Sequence, residues 1–418
     1  MKILMVSSYL PYPLFSGGHI RLYNIIKNLS KNHQITLVCE KRAYQNGQDI
    51  AEVGKFCKKI ITVDRKKQWT LKNIFKTGFS KYPFLVTGHT HSQMKREIKK
   101  ILEKEKFDLI HVETFYIMQN LPARIATQSV AGGPKVTVPV VLTEHNIESL
   151  VYERFKQSTP FFIKPLLNID ILKLKKIEEK AWTKANAVIA VSKNDRNIIK
   201  DFNKNVYVVP NGVDLEEFRV QPFGVAQDKS SEFRVQNNRE RTILFIGDFR
   251  WVENRDAARM ILKEIWPAIK LKIGSSELRI KLWIVGRKIP DSIKKLGTDG
   301  VVFDENALSD TSKIYEKADL LLAPIRIGGG TSFKILEAMA SGVAVVTTNL
   351  GAVGIGAKNR EEVIIAENKE EFSDSIIELL KDKNLYEKIT KNARSLVEEK
   401  YNWENIAKEL VKVYRSVV

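Results

Sequence analysis

A chain of 418 residues exceeds one ordinary domain, so two or three are expected, with an apolar content sufficient for sizeable cores. Two cysteines, Cys39 and Cys57, exclude a disulfide framework and fit a reduced, cytosolic setting, and no stretch approaches the ~20 apolar residues of a membrane span. The net charge of +19 speaks to partners rather than to fold: nucleic acid, an anionic membrane face and anionic substrates are all candidates.

The start, MKILMVSSYLPYP, carries one charge and a short apolar run that ends at two prolines. It reads as a first strand over 2–8, not as a signal peptide. A loop, YLPYPLFSGG, precedes an amphipathic helix, HIRLYNIIKNLS, and then a strand, HQITLVCE. Strand, helix, strand predicts a parallel βαβ unit. Gly17 and Gly18 open the helix and are placed to face an anion. Glu40 ends the second strand, which raises a dinucleotide-binding reading. That fingerprint needs G-x-G-x-x-G directly after the strand, whereas here about eight residues intervene before a plain Gly-Gly pair. It is therefore not the leading reading.

Residues 65–106 hold twelve Lys/Arg and three Glu, so this stretch concentrates the positive charge. Trp69, Phe75, Phe79, Tyr82 and Phe84 are interleaved among them. Such a surface suits anionic lipid headgroups, and a solvated helix face in a Lys-rich protein is the plain alternative. No nucleic-acid signature accompanies the charge.

KFDLIHVETF is a further strand with His111 near its end. PVVLTEHNIES carries Glu144, His145 and Asn146 at a strand's carboxyl end, the edge where open α/β sheets bind ligands. TQSVAGGPKVTVP between them reads as a loop. ILKLKKIEEKAWTKA is helical, NAVIAVSKNDRNII a short buried strand and a helix beginning near Ser192, and PNG in YVVPNGVDLEEF a turn. Residues 221–241 are polar and without periodicity. EFRVQ occurs twice, at 217–221 and 232–236, which is far too little for a solenoid.

A second series follows: strand RTILFIGDF, helix DAARMILKEIWPAI, strands RIKLWIVGR and VVFDENA, helix SKIYEKA, then strands ADLLLAP, VAVVTTNLGA and VIIAE. The alternation predicts a second doubly wound parallel sheet. The chain ends in helices. The pattern predicts an α/β domain over 1–213, a polar linker over 214–241 and a second α/β domain over 242–401.

The segment APIRIGGGTSFKILEAMASG, residues 323–342, concentrates candidate ligand chemistry. Arg326 follows the strand. Gly328, Gly329 and Gly330 remove side chains where a ligand must approach the backbone, and Thr331 and Ser332 suit the N-cap region of the next helix. Its N-terminus is a natural phosphate site. Lys334 and Glu337 share one helix face, which suits a diphosphate with a hydroxyl-rich ribose behind it.

This segment resembles the donor-site loop and helix of retaining nucleotide-sugar glycosyltransferases of family four, in which EAMA follows a Gly-rich turn. The family often has two glutamates eight positions apart; here the second is Glu337 and the first slot is Gly329. The resemblance covers nearly the whole chain. It implies the GT-B fold, two Rossmann-like α/β domains facing across a cleft, with helix 402–418 packing back on the first, acceptor-side domain. It also implies a second, donor-binding domain, a nucleoside-diphosphate sugar as donor and retention of configuration. Gly17 and Gly18 would line the cleft, and His145 would touch the donor sugar; His111 is a second candidate. No Asp-x-Asp metal motif stands in a fitting place, so no metal or other cofactor is expected, and the departing diphosphate falls to Lys334, Arg326 and backbone N–H groups. Family members often place an Arg and a Lys after the second domain's first strand. The slot after Gly247 holds Asp248 and the Lys slot falls near Asn254, with Arg250 and Arg255 as nearby substitutes. The expected protein is a cytosolic transferase acting on a saccharide or lipid-linked acceptor in surface-polymer synthesis, peripheral on the membrane's inner face. An epimerase of the same fold, an inactive sugar-nucleotide-binding protein and a pyridoxal-phosphate phosphorylase are the rivals.

Overall fold

The computed structural model describes residues 1–122, 137–157, 159–218, 240–274, 278–306, 311–327 and 331–418. Gly328, Gly329 and Gly330, most of the EFRVQ pair and most of the 127–139 loop lie outside the described residues. The chain forms two compact units, residues 1–210 with 403–418 and residues 211–402.

The first unit is a seven-stranded parallel sheet of β1 (Lys2–Ser7), β2 (Gln34–Lys41), β3 (Lys59–Asp64), β4 (Leu109–Glu113), β5 (Val140–Glu144), β6 (Ala187–Ala190) and β7 (Val206–Val208), in the order 3-2-1-4-5-6-7. β1 lies between β2 and β4, with Lys2 beside Gln34 and Ile3 beside Leu109. β4, β5 and β6 are buried along their whole length, as continuous apolar runs in a sheet covered on both faces must be. Strand order reverses between β1 and β4, so their carboxyl ends diverge and leave a crevice. Helix Gly17–Leu29 buries Leu22, Ile25, Ile26 and Leu29 at helical spacing. Helix Trp403–Arg415, at the end of the chain, turns Ile406, Ala407, Leu410 and Tyr414 inward and packs against it.

The sequence reading did not find β3. KIITVD is half-exposed and edge-placed, so it lacks the apolar run that marks its neighbours. The basic stretch divides in two. Helix Ser92–Lys104 buries Met94, Ile98, Ile101 and Leu102 and turns its lysines to solvent, whereas helix Leu71–Phe79 leaves its apolar residues exposed.

The second unit holds β8 (Arg241–Asp248), β9 (Ile280–Arg287), β10 (Val301–Asp304), β11 (Leu320–Ala323), β12 (Ala344–Thr347) and β13 (Ile364–Ile365), all parallel, in the order 10-9-8-11-12-13. Its reversal lies between β8 and β11. Val213 and Phe218 are buried in this unit's core beside Tyr315 and Leu336. The expected helix over 256–269 begins earlier, at Val252, and is interrupted by a π turn at Ile261–Ile265 before helix Trp266–Ile273. Pro267 has no N–H for the i−4 carbonyl, and a wider turn ahead of it accommodates the loss.

Candidate functional site

In the second unit, helix Phe333–Ala340 starts just beyond the carboxyl end of β11, beside the reversal. Ser332 is its N-cap but makes no side-chain capping bond, so the hydroxyl expected to close this helix end does not do so. Thr331 is buried, and its carbonyl accepts from Asn211 Nδ2 at 3.2 Å.

Lys334 Nζ donates to Asn254 Oδ1 at 2.7 Å and sits 4.8 Å from the centre of the Phe245 ring, a cation–π contact. Asn254 Nδ2 donates in turn to the carbonyl of Asp248 at 2.9 Å. Gly247 makes this arrangement possible: a Cβ there would stand 2.6 Å from Asn254 Cγ. Burial pulls the Lys334 ammonium down to about 8, although the charges of Glu253 and Glu337 favour its proton. One turn along, Glu337 is buried, and its Oε2 accepts from the Tyr315 hydroxyl at 2.9 Å. Burial pushes its carboxyl up to about 7, while the Tyr315 hydroxyl pulls it back. The expected Lys334–Glu337 face is thus a partly dehydrated one, where charge interactions are stronger than in water.

The two arginines are held elsewhere. Arg326 forms a two-pronged pair with Asp256 at 2.9 and 3.1 Å, and Arg250 Nε lies 3.0 Å from each oxygen of Asp248. Neither bonds to Lys334. Arg255 donates to the Phe249 carbonyl at 3.3 Å.

In the first unit, the carboxyl ends of β1, β4 and β5 carry a buried relay. Glu113 Oε2 lies 2.7 Å from His145 Nε2, and Glu113 Oε1 lies 2.8 Å from His111 Nε2. Tyr414 OH is 2.6 Å from His111 Nδ1. A carboxylate accepts only, so both imidazoles present an N–H to it, and Nδ1 of His111 pairs with the Tyr414 hydroxyl. Burial alone would raise Glu113, but the hydrogen bonds from His111 and His145 outweigh it and hold the carboxyl well below its usual range. His111 and Glu113 are fully buried, while the His145 side chain keeps 17 % exposure, so His145 is the relay's solvent-facing end. Tyr9 OH lies 3.3 Å from His145 Nε2 and crosses the helix start, where a Cβ on Gly18 would be 2.9 Å from that hydroxyl. Gly17 is the first residue of the same helix.

His145, Gly18 and His111 are thereby connected, as are Lys334, Glu337 and Gly247. Sequence reasoning missed Glu113, Tyr9, Tyr315, Phe245 and Tyr414, and it took Asn254 only as an empty Lys slot. A carboxylate two residues after His111 on a strand was the one visible signal, because alternate strand residues share a face. Glu40 is fully buried and held by His89 and His91 at 3.0 Å each, so its carboxylate is engaged internally. Among the described residues, no group of three or more His, Cys, Asp or Glu is arranged to hold a metal ion.

A model for "Glycosyltransferase Family 4" matches residues 15–217, and one for "Glycosyl transferases group 1" matches residues 240–382. The chain is 23% identical to an uncharacterized 44.6 kDa protein in the cps region of Klebsiella pneumoniae, across 98% of this chain and 99% of that one. It is 23% identical to the phosphatidyl-myo-inositol mannosyltransferase of Mycolicibacterium smegmatis, across 77% of this chain and 74% of that one. HepE of Anabaena, solved in complex with UDP-glucose, superposes with a TM-score of 0.63 at 15% identity over the full length of both chains, which shows the fold. With the two parallel-sheet units, their matched models and structural neighbours of the GT-B type, the chain belongs to the group 1, family-four glycosyltransferases.

Proposed function

We propose that the chain moves a sugar from a nucleoside-diphosphate sugar to a saccharide or lipid-linked acceptor. Configuration is retained, no metal ion takes part, and the reaction serves surface polysaccharide or glycolipid synthesis at the cytoplasmic face. The observation that carries this is the Lys334–Glu337 pair at the reversal of the second sheet. Lys334 meets the diphosphate together with the Thr331 and Ser332 amides, and Glu337 accepts from the ribose hydroxyls. A buried cation aimed at a leaving diphosphate stabilises charge that grows in the transition state, without reorganising water. His145, backed by Glu113, orients the transferred sugar. Retention rests on family membership, and no enzyme nucleophile is assigned.

A thermal-shift panel of nucleoside diphosphates and their sugars tests the reading. A ligand at about 100 times its dissociation constant stabilises by roughly 2.7 kcal/mol. At least one diphosphate should raise the melting temperature, and Lys334→Ala and Glu337→Ala should each abolish the rise. No shift with any nucleotide, or an unchanged shift in both variants, would sink it. Turnover should also survive a chelator.

A further inference from the structure

At the carboxyl edge of the first sheet, β2 and β3 run out into two arginines that stand side by side. Lys41 and Asp64 are the last paired residues, so Arg42 and Arg65 follow in register, and the Arg65 amide donates to the Lys41 carbonyl at 2.8 Å. Arg42 is fixed through its backbone. Its amide donates to Oε1 of the buried Gln45 at 2.8 Å, and Gln45 Nε2 donates to the Leu10 carbonyl at 3.0 Å, on the segment that leaves β1. The Arg42 side chain is half-buried, and its enclosed Nε has no hydrogen-bond partner among the described residues. The neighbouring acids are taken: Asp64 pairs with Lys41 at 3.2 Å, and Glu40 with His89 and His91.

Arg65 is anchored, but its charge is only partly met. Its Nη2 donates to Gln68 Oε1 at 3.2 Å and to His89 Nε2 at 3.3 Å, while its Nε stays 3.9 Å from Glu40, beyond hydrogen-bond reach. Burial, and then the Arg42 charge, pull the Arg65 guanidinium below its ordinary value, and the Glu40 charge does not offset them. Two like charges in a half-dehydrated crevice repel, and a buried donor without a partner costs about 1–3 kcal/mol. An anion between the guanidiniums relieves both, and their forked N–H groups match a phosphate or a carboxylate. Tyr44 lies close enough to act on the Arg65 charge. It is 52 % exposed and meets the Phe15 ring at 6.0 Å, and such ring faces suit the C–H side of a sugar. The anion that fits is therefore a substituent on a saccharide.

We propose that Arg42 and Arg65 bind a phosphate or carboxylate group carried by the saccharide acceptor, with Tyr44 and Phe15 against the sugar ring, so that the acceptor is an anionic sugar. β2 and β5 are three strand spacings apart, roughly 14 Å, so this charge falls on a part of the acceptor away from the hydroxyl that reacts near His145. The proposal rests on the transferase reading, because only then is the bound sugar an acceptor.

Glucose 6-phosphate, glucuronate, glucose and inorganic phosphate are titrated with the full chain, read by proton and phosphorus NMR line broadening. Glucose 6-phosphate or glucuronate should bind at least ~10-fold tighter than glucose and than inorganic phosphate, and the tighter of the two names the group. Arg42→Gln should cost that affinity ~10-fold or more with an unchanged melting temperature, since its Nε has no partner to lose. Arg65→Gln should cost as much, although it also loosens Gln68 and His89. Lys334→Ala should leave anionic-sugar binding intact while it abolishes the nucleotide shift, so the two sites fail separately. If an anionic sugar binds at Arg42 and no nucleotide shifts the melt, the transferase reading fails and the acceptor role with it. No binding up to about 20 mM, equal affinity for glucose and its phosphate, inorganic phosphate as tight as the sugar phosphate, an Arg42→Gln variant that binds like the parent, or a loss in Lys334→Ala in its place would each overturn the proposal.

Discussion

The ammonium of Lys334 rests 2.7 Å from the side-chain oxygen of Asn254, a residue eighty positions earlier that is itself pinned to the end of β8 through Asp248. One hydrogen bond therefore ties the helix after β11 to the helix after β8 across the sheet's reversal, and fixes the ammonium there.

Proton linkage at Lys334 gives the first prediction. Burial lowers its folded pKa to about 8, below the usual lysine value of 10.5, so the protein carries a strained cation at pH 7. The sign follows: in the free protein, the cost of that buried charge is present below pH 8 and is relieved as pH rises towards the unfolded value. A bound diphosphate reverses this by favouring the proton. Diphosphate affinity should thus fall by up to about tenfold per pH unit above pH 8, with proton uptake on binding. Calorimetry in two buffers of different ionisation enthalpy measures both. An affinity flat from pH 7 to 9.5 would argue that Lys334 does not meet the phosphates.

Gly247→Ala should disturb the same cation indirectly. The new methyl would press on Asn254, which cannot retreat without losing Asp248 or Lys334. A stability loss of about 1–3 kcal/mol is expected from overpacking, together with weaker diphosphate binding. Adding Asn254→Ala should restore the melting temperature and leave affinity low. Recovery of both would show that Asn254 serves only as packing.

Tyr315→Phe removes the hydroxyl that donates to Glu337. Tyr315 is fully buried and also donates to the Lys334 carbonyl at 3.1 Å. The loss should be about 1–3 kcal/mol, because an acceptor is left unpaired in a dry site. Glu337 should then hold its proton to still higher pH, so nucleotide binding at pH 7 should weaken more for ribonucleotides than for inorganic diphosphate. Equal weakening for both would separate Glu337 from ribose.

Acid unfolding reports on the Glu113 relay. Its folded pKa lies below the ordinary 4.5, so the pair contributes stability that is complete above 4.5 and lost only as pH falls through the low folded value. His145→Ala removes one of the two donors, and the acid midpoint should move to higher pH. Removing one donor from a buried carboxylate that keeps another costs about 1–3 kcal/mol. Circular dichroism from pH 7 to 2 reads the midpoint, and coincident curves would refute the coupling. Transfer should fall by roughly 10²–10³-fold, with nucleoside diphosphate affinity kept.

Much of the architecture was readable from the chain. Runs such as KILMVS, LIHVE and LLLA, separated by helical periods, announce parallel strands buried on both faces, and every one of these proved to be a strand. KIITVD did not announce itself, because an edge strand needs only half a cover. Pro267 was visible, but the turn that accommodates it ahead of helix Trp266–Ile273 was not. At the site, Lys334 and Glu337 could be paired from helical spacing alone. Arg326 and Arg250 could not be judged, since their carboxylates, Asp256 and Asp248, come from elsewhere in the fold or from a local turn whose geometry no spacing rule predicts.

The chain by itself determined two βα series, their burial pattern, the glycine-led segment that ends in EAMA, and with these the family. Those properties are local: a period, a turn residue or a short motif is complete within twenty residues. Tertiary structure alone decided which charges are dry, which are already paired, and which side of helix Leu71–Phe79 faces water. Burial and pairing are relations between residues tens to hundreds of positions apart, as between His111 and Tyr414 of the first unit, and they exist only once the chain has folded.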